Sequence, residues 1–155
     1  MTNKERFMAL VSGEDDQTLA EIKERMKMRE INTLNSATIP YESALKLKEL
    51  GFDEPCFGKI YADGGIEQLS YLYKNSDEIG KVTSCSAPLS HQAFRFFRDK
   101  YELPSWIYTS DNKKFWYSIL RDGRFHISDG NKPYETYEEA ELACLIKLIE
   151  VVKTK

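Results

Sequence analysis

The sequence predicts an α+β fold: an antiparallel sheet of four or five strands with helices packed on one face, plus a helical N-terminal extension. Three observations lead there. Strand-like runs at residues 56–62 and 66–73 flank Asp63-Gly64-Gly65, a strong hairpin signal. Aromatic-rich runs at 106–109, 114–120 and 125–128 are separated by Asp111-Asn112 and Asp122-Gly123, residues suited to positive φ in turns. Thr136 with Glu139 forms a capping box ahead of an apolar-periodic helix that runs to about residue 152. The chain has 155 residues, enough for one domain and an appendage, with the extension drawn at 1–38 and the domain at 39–155.

The extension holds two short helical patterns. Phe7, Leu10 and Val11 share one face, with Gly13 as a stop; Asp15 or Asp16 then caps a helix carrying Leu19, Ile22 and Met26. Helices this short bury little alone and must dock on something. Residues 32–38, polar and without period, form the linker. Pro40 pre-sets a helix through about Leu50, with Gly51 just beyond its end. Residues 74–83 read as a polar loop, and 84–88 as the opening of a further helix that Pro104 ends. Leu89, Ala93, Phe96 and Phe97 form the buried stripe of that helix, and His91, Arg95 and Arg98 lie together on the opposite face. The last helix is apolar on two sides. Tyr137, Ala140, Cys144, Leu148 and Val151 form one stripe, and Leu142, Ile146 and Ile149 a second, so it needs two covers. The sheet is one cover. The other is the N-terminal helices or a second copy of the chain, which makes Leu142, Ile146 and Ile149 the candidate interface.

Composition excludes several classes. Hydrophobic residues at 41% and charged residues at 30% fit a soluble globular protein rather than a disordered one. A net charge of −3 is far from the basic signature of a nucleic-acid binder. There is no apolar run long enough to span a bilayer, and the first residues do not read as a secretory signal. Cys56, Cys85 and Cys144 are an odd number and widely spaced, as expected of reduced thiols in the cytoplasm. Without C-x-x-C or closely spaced histidines, neither a metal nor another cofactor is expected.

Three enzyme-like patterns have simpler explanations. Cys85 just before a helix start would gain thiolate character from the dipole, yet His91 lies six residues on and points elsewhere around the helix. Glu138 and Glu139 are accounted for by the dipole and cap of the last helix. Gly64-Gly65 joins two strands, whereas a phosphate loop leads from a strand into a helix. The expectation is therefore a chain that is not an enzyme. The segment 95–124 is more informative, with seven basic residues against four acidic ones. Arg95, Arg98, Trp106, Tyr108, Lys113, Lys114 and Trp116 form the candidate binding set. Alternation puts Trp106 and Tyr108 on one face and sets Trp116 apart from Phe115, Tyr117 and Ile119. Aromatics beside arginine serve as anchors for a protein partner, and equally as a stacking surface for single-stranded nucleic acid or a nucleotide.

The helix–strand–strand–strand–helix order of 88–152 resembles the topology of the double-stranded-RNA-binding domain. Tyr137, Glu138, Glu139 and Glu141 stand where that family carries phosphate-binding lysines, so its RNA binding does not carry over. Residues 1–12 and 19–25 resemble the leader of HigA-type antitoxin-like regulators, without the helix-turn-helix that follows it there. Residues 40–153 resemble a family of small uncharacterised proteins of gut anaerobes, their phages and mobile elements. The phrases that carry this are residues 44–56, Ser86-Ala87-Pro88-Leu89 with 92–98, and 136–145. The resemblance implies a cytoplasmic accessory protein of a mobile element. The functional expectation is a non-catalytic protein-interaction module, with a protein partner and a homodimer in view and no membrane. The alternative is a single-stranded nucleic-acid, nucleotide or small-ligand binder using the face of residues 95–124.

Overall fold

The computed structural model describes residues 24, 37–77, 83–110, 113–128, 130 and 132–154; the chain divides into two units, Met1–Ala37 and Thr38–Lys155. The helices expected in the N-terminal extension lie outside the described residues. The second unit runs α1 (Tyr41–Glu49), β1 (Cys56–Tyr61), β2 (Ile66–Tyr73), a 3-10 turn (Asn75–Asp77), β3 (Ser84–Ser86) and α2 (Ser90–Tyr101), then β4 (Ser105–Thr109), β5 (Phe115–Arg121), β6 (Phe125–Ile127) and α3 (Tyr137–Lys153). The fold is α+β.

The strands form two antiparallel sheets of three, β2-β1-β3 and β4-β5-β6, in place of the single sheet of four or five expected from the sequence. The difference begins at residues 84–88, which the sequence reading takes as the lead-in to a helix. Ser84, Cys85 and Ser86 instead pair with Tyr61, Ile60 and Lys59. Three small residues show no alternation that could announce a strand, and all three are buried. β3 closes the first sheet, α2 starts only at Ser90, and β4 opens a new sheet. α1 packs on β1 and β3, while α3 packs on β4 and β5, so each sheet has its own helical cover.

Close backbone approach fixes the first hairpin. The β1–β2 register shifts between Cys56 and Gly58, and a Cβ on Gly58 would lie 2.5 Å from the Glu67 carbonyl oxygen. The second sheet turns at Asp122 (φ 53°) and Gly123 (φ 64°), both left-handed as a tight hairpin turn requires.

α3 is the central element, touching α1, α2, β4 and β5. It buries Ala140, Cys144, Leu145, Leu148, Ile149 and Val151. Thr136 Oγ1 accepts from the Glu139 N–H at 3.2 Å, and Glu139 Oε2 accepts from the Glu135 N–H at 3.0 Å, so the return bond of the capping box lands one residue early. The second stripe divides. Leu142 and Ile146 are 36% and 42% exposed, whereas Ile149 is 3% exposed and belongs to the core, which removes it from the candidate interface. In this unit α1 packs against α3, and Lys153 Nζ near the end of α3 reaches Glu49 Oε2 at 3.0 Å.

The start of α2 is set by one buried side chain. Its N-cap, Leu89, offers no oxygen. Gln92 Oε1 instead accepts the Leu89 N–H at 3.0 Å, and Gln92 Nε2 donates to the Pro55 carbonyl at 2.9 Å. Gln92→Ala would leave both backbone groups without this partner. Urea unfolding followed by circular dichroism is expected to show a loss of about 1–3 kcal/mol; an unchanged midpoint would refute this account.

Candidate functional site

The register of the second sheet sorts its side chains. Trp106 pairs with Ser118, Tyr108 with Trp116, and Leu120 with His126, and directly paired residues share a face. One face therefore carries Trp106, Tyr108, Trp116, Ser118, Leu120 and His126. The other carries Tyr117 and Ile119, both in the core beneath α3. Trp106 is 42% and Tyr108 45% exposed, and Trp116 is half-buried beside them. The Tyr108 and Trp116 rings are nearly parallel, 16° apart with centroids 6.1 Å apart. Trp106 meets His126 edge-on at 5.7 Å, and His126 Nδ1 lies 3.1 Å from Ser118 Oγ. Such ring pairs contribute about 0.5–1.5 kcal/mol each beyond area burial, so the row is a preformed surface.

Around the margin of this face lies a cleft of about 280 Å³. His91, Phe94, Arg95 and Arg98 of α2 line it, with Ser105, Trp106 and Ile107 of β4 and Tyr137 and Glu141 of α3. His91, Arg95 and Arg98 are exposed, as their shared helical face requires. Arg95 forms an ion pair with Glu54, whose carboxylate raises the arginine pKa further. Arg98 donates through Nε to its neighbour Asp99 at 2.8 Å. Burial pushes the Tyr137 phenol upward, with Glu141 adding to the effect, so it stays protonated and able to donate.

Of the residues singled out from sequence, Arg95, Arg98 and Trp106 meet in the cleft, and Tyr108 and Trp116 join Trp106 on the open face. Two lie apart. Lys113 is exposed in the β4–β5 turn at φ 56°, and Lys114 is ion-paired with Glu135. The sequence reading omitted His126, Tyr137 and Glu141. Alternation carried across the Asp122-Gly123 turn would have placed His126 beside the aromatics. The i, i+4 spacing of Tyr137 and Glu141 puts them on one helical face.

The thiol reading loses its premise. Cys85 sits in the middle of β3, fully buried, five residues before α2 begins. Among the described residues no group of three or more His, Cys, Asp or Glu is placed to hold a metal ion, and no helix is long and apolar enough to cross a membrane. Compared with family models, curated proteins and solved structures, the chain matches none. What the geometry defines is an α+β domain with an open aromatic sheet face bordered by a polar cleft.

All three cysteines are buried, and burial raises the Cys56 thiol from 9.0 to about 11. Between pH 9 and 11 the unfolded chain releases the Cys56 proton while the folded chain keeps it, so the stability that the neutral thiol contributes is lost as pH rises through that window. Urea titrations at pH 8 and pH 11 are expected to show the wild type losing roughly 2–3 kcal/mol relative to Cys56→Ala. A constant difference between the two proteins would contradict this.

Proposed function

We propose that the chain is a non-catalytic protein-interaction module whose contact surface is the outer face of β4, β5 and β6. The observation that carries this reading is the open sheet face on which Trp106 and Tyr108 are exposed and Trp116 is half-buried beside them. Preformed aromatic surface loses little entropy on binding and supplies the anchors that dominate protein interfaces. The neighbouring cations support the same choice. Arg95 is engaged by Glu54, Lys114 by Glu135 and Arg121 by Asp122. A phosphate backbone would have to compete with those carboxylates, on a chain of net charge −3.

The near-parallel Tyr108–Trp116 pair favours a second reading, in which bases of a single-stranded nucleic acid or a nucleotide stack on the same face. The resemblance of residues 40–153 to small proteins of phages and mobile elements supports a role as a cytoplasmic accessory factor of such an element. Leu142 and Ile146, exposed one turn apart on α3, support a homodimer contact.

Benzoylphenylalanine at position 108, photoactivated in expressing cells, is expected to trap one protein species that the same group at position 74 does not. Trp116→Ala is expected to weaken binding of that protein about thirtyfold, the loss typical of an aromatic anchor. A nucleic-acid adduct, or oligothymidylate binding at low salt that Trp116→Ala abolishes, would establish the second reading instead. For the homodimer, sedimentation velocity should show Ile146→Glu shifting a dimer to monomer; a wild type that sediments as a monomer at high concentration would remove the contact.

A further inference from the structure

We propose that the edge of β4 takes an extended segment of a partner protein as a fourth strand, with one carboxylate of that segment held at Arg98. The proposal rests on the reading of the chain as a protein-interaction module, and it assigns the partner's chemistry at the cleft.

Backbone bonds at the two ends of the β4–β5 ladder establish which groups of β4 face outward. Leu120 N–H donates to the Pro104 carbonyl at 2.9 Å, and Ser110 N–H donates to the Lys114 carbonyl at 3.3 Å. In an antiparallel ladder, hydrogen-bonded pairs alternate with non-bonded ones. The register between those ends makes Trp106↔Ser118 and Tyr108↔Trp116 the bonded pairs. The main-chain groups of Ser105, Ile107 and Thr109 therefore point away from β5. The opposite side of β5 agrees with this phase: Phe115, the non-bonded partner of Thr109, exchanges both of its main-chain bonds with Tyr134, at 3.0 and 2.8 Å. β4 is an edge strand of its sheet, and its outward groups form a template for strand addition.

The cleft lies along this edge, since Ser105, Trp106 and Ile107 line one side and α2 the other. From His91 to Arg98 the helix wall is about 10 Å long, the length of three extended residues. A strand added there would alternate its side chains between two environments. One set enters the cleft over Phe94 and Ile107, and the other lies beside Trp106 and Tyr108. The charge pattern of the cleft selects the first set. Arg95 is turned to Glu54 through both Nε and a terminal nitrogen. Arg98 uses Nε alone, on an adjacent residue, which leaves its two terminal nitrogens for an incoming carboxylate. The pair it makes with Asp99 is exposed on both sides and correspondingly weak. Glu141 on the α3 rim disfavours a second carboxylate in the cleft. The fitting segment is therefore extended, apolar at alternate positions and singly acidic.

The probe is a capped octapeptide of alternating valine and threonine with one threonine replaced by glutamate, titrated into the isotope-labelled full chain. Expected are slowed amide exchange at Ser105, Ile107 and Thr109, and little change at Trp106 and Tyr108, whose amides are already bonded to β5. Arg98→Glu should weaken the glutamate peptide about ten- to a hundredfold, the loss of a charge-assisted bond, and should bind a lysine-substituted peptide more tightly than the wild type does. Thr109→Pro removes an outward N–H and keeps the main-chain ladder of β4 and β5, losing besides the Thr109 hydroxyl bond to the Lys114 carbonyl; it should weaken both peptides, whereas Thr109→Val, which loses that hydroxyl bond but keeps the N–H, should not. Absence of any shift along β4 overturns the proposal. So does binding that perturbs Tyr108 and Trp116 without slowing exchange at the alternate amides, an outcome that leaves the interaction-module reading intact. That reading fails by a separate observation, a nucleic-acid adduct in place of a protein adduct at position 108.

Discussion

The burial of α3 is the constraint on which the second unit depends. Among the described residues the two three-stranded sheets share no ladder that would join them edge to edge. The helix does: it lies on β4 and β5, and packs against α1, the cover of the first sheet, and against α2. Leu145 and Leu148 are fully buried at this junction. Each contributes about 1.5–3 kcal/mol by removal from water, and truncating either would also leave a cavity. The capped start at Thr136 and the Lys153–Glu49 pair fix the ends of the helix, but its apolar stripe supplies the energy.

The site inherits its geometry from that arrangement. α3 occupies the inner face of the second sheet, so the outer face carries the aromatics that have no place in the core. Gln92 sets the register at which α2 begins and hence where His91, Arg95 and Arg98 project. A second polar latch ties the return of the first sheet: Asn75 donates to the Phe52 carbonyl and accepts the Ser86 N–H, and Asp53 accepts both the N–H and the hydroxyl of Ser76. The Ser76 hydroxyl is the main reason the Asp53 carboxyl stays below its usual range. These bonds hold β3 in place, and β3 leads directly into α2. The cleft wall is thus anchored from the first sheet, and the opposite side is part of the second.

Much of this was legible in the sequence because the relevant signals are local. Thr136 and Glu139 announce a helix start, Asp63-Gly64-Gly65 and Asp122-Gly123 announce hairpins, and the 3.6-residue spacing of His91, Arg95 and Arg98 announces a shared face. β3 was not legible. Ser84-Cys85-Ser86 has neither alternation nor β-branched residues, and it is a strand only because β1 offers it an edge. It joins β1 in the first sheet, and β4 begins a second one. Ile149 shows the same limit from another side, since helical periodicity identified an apolar stripe but could not indicate that Ile149 enters the core while Leu142 and Ile146 stay open. The cleft combines residues from α2, β4 and α3, and only tertiary placement brings Tyr137 and Glu141 to Arg98.

The chain has two tryptophans, Trp106 and Trp116, and both stand on the same open sheet face. Its intrinsic fluorescence is consequently a report from one surface rather than from the interior. Emission in the native state reflects indoles that already meet water, so melting of the α3 core will move the spectrum less than it would in a protein with a buried indole. Changes at the face, by contrast, act on both emitters at once. The optical signal of this protein is an occupancy gauge, and a poor thermometer of its fold.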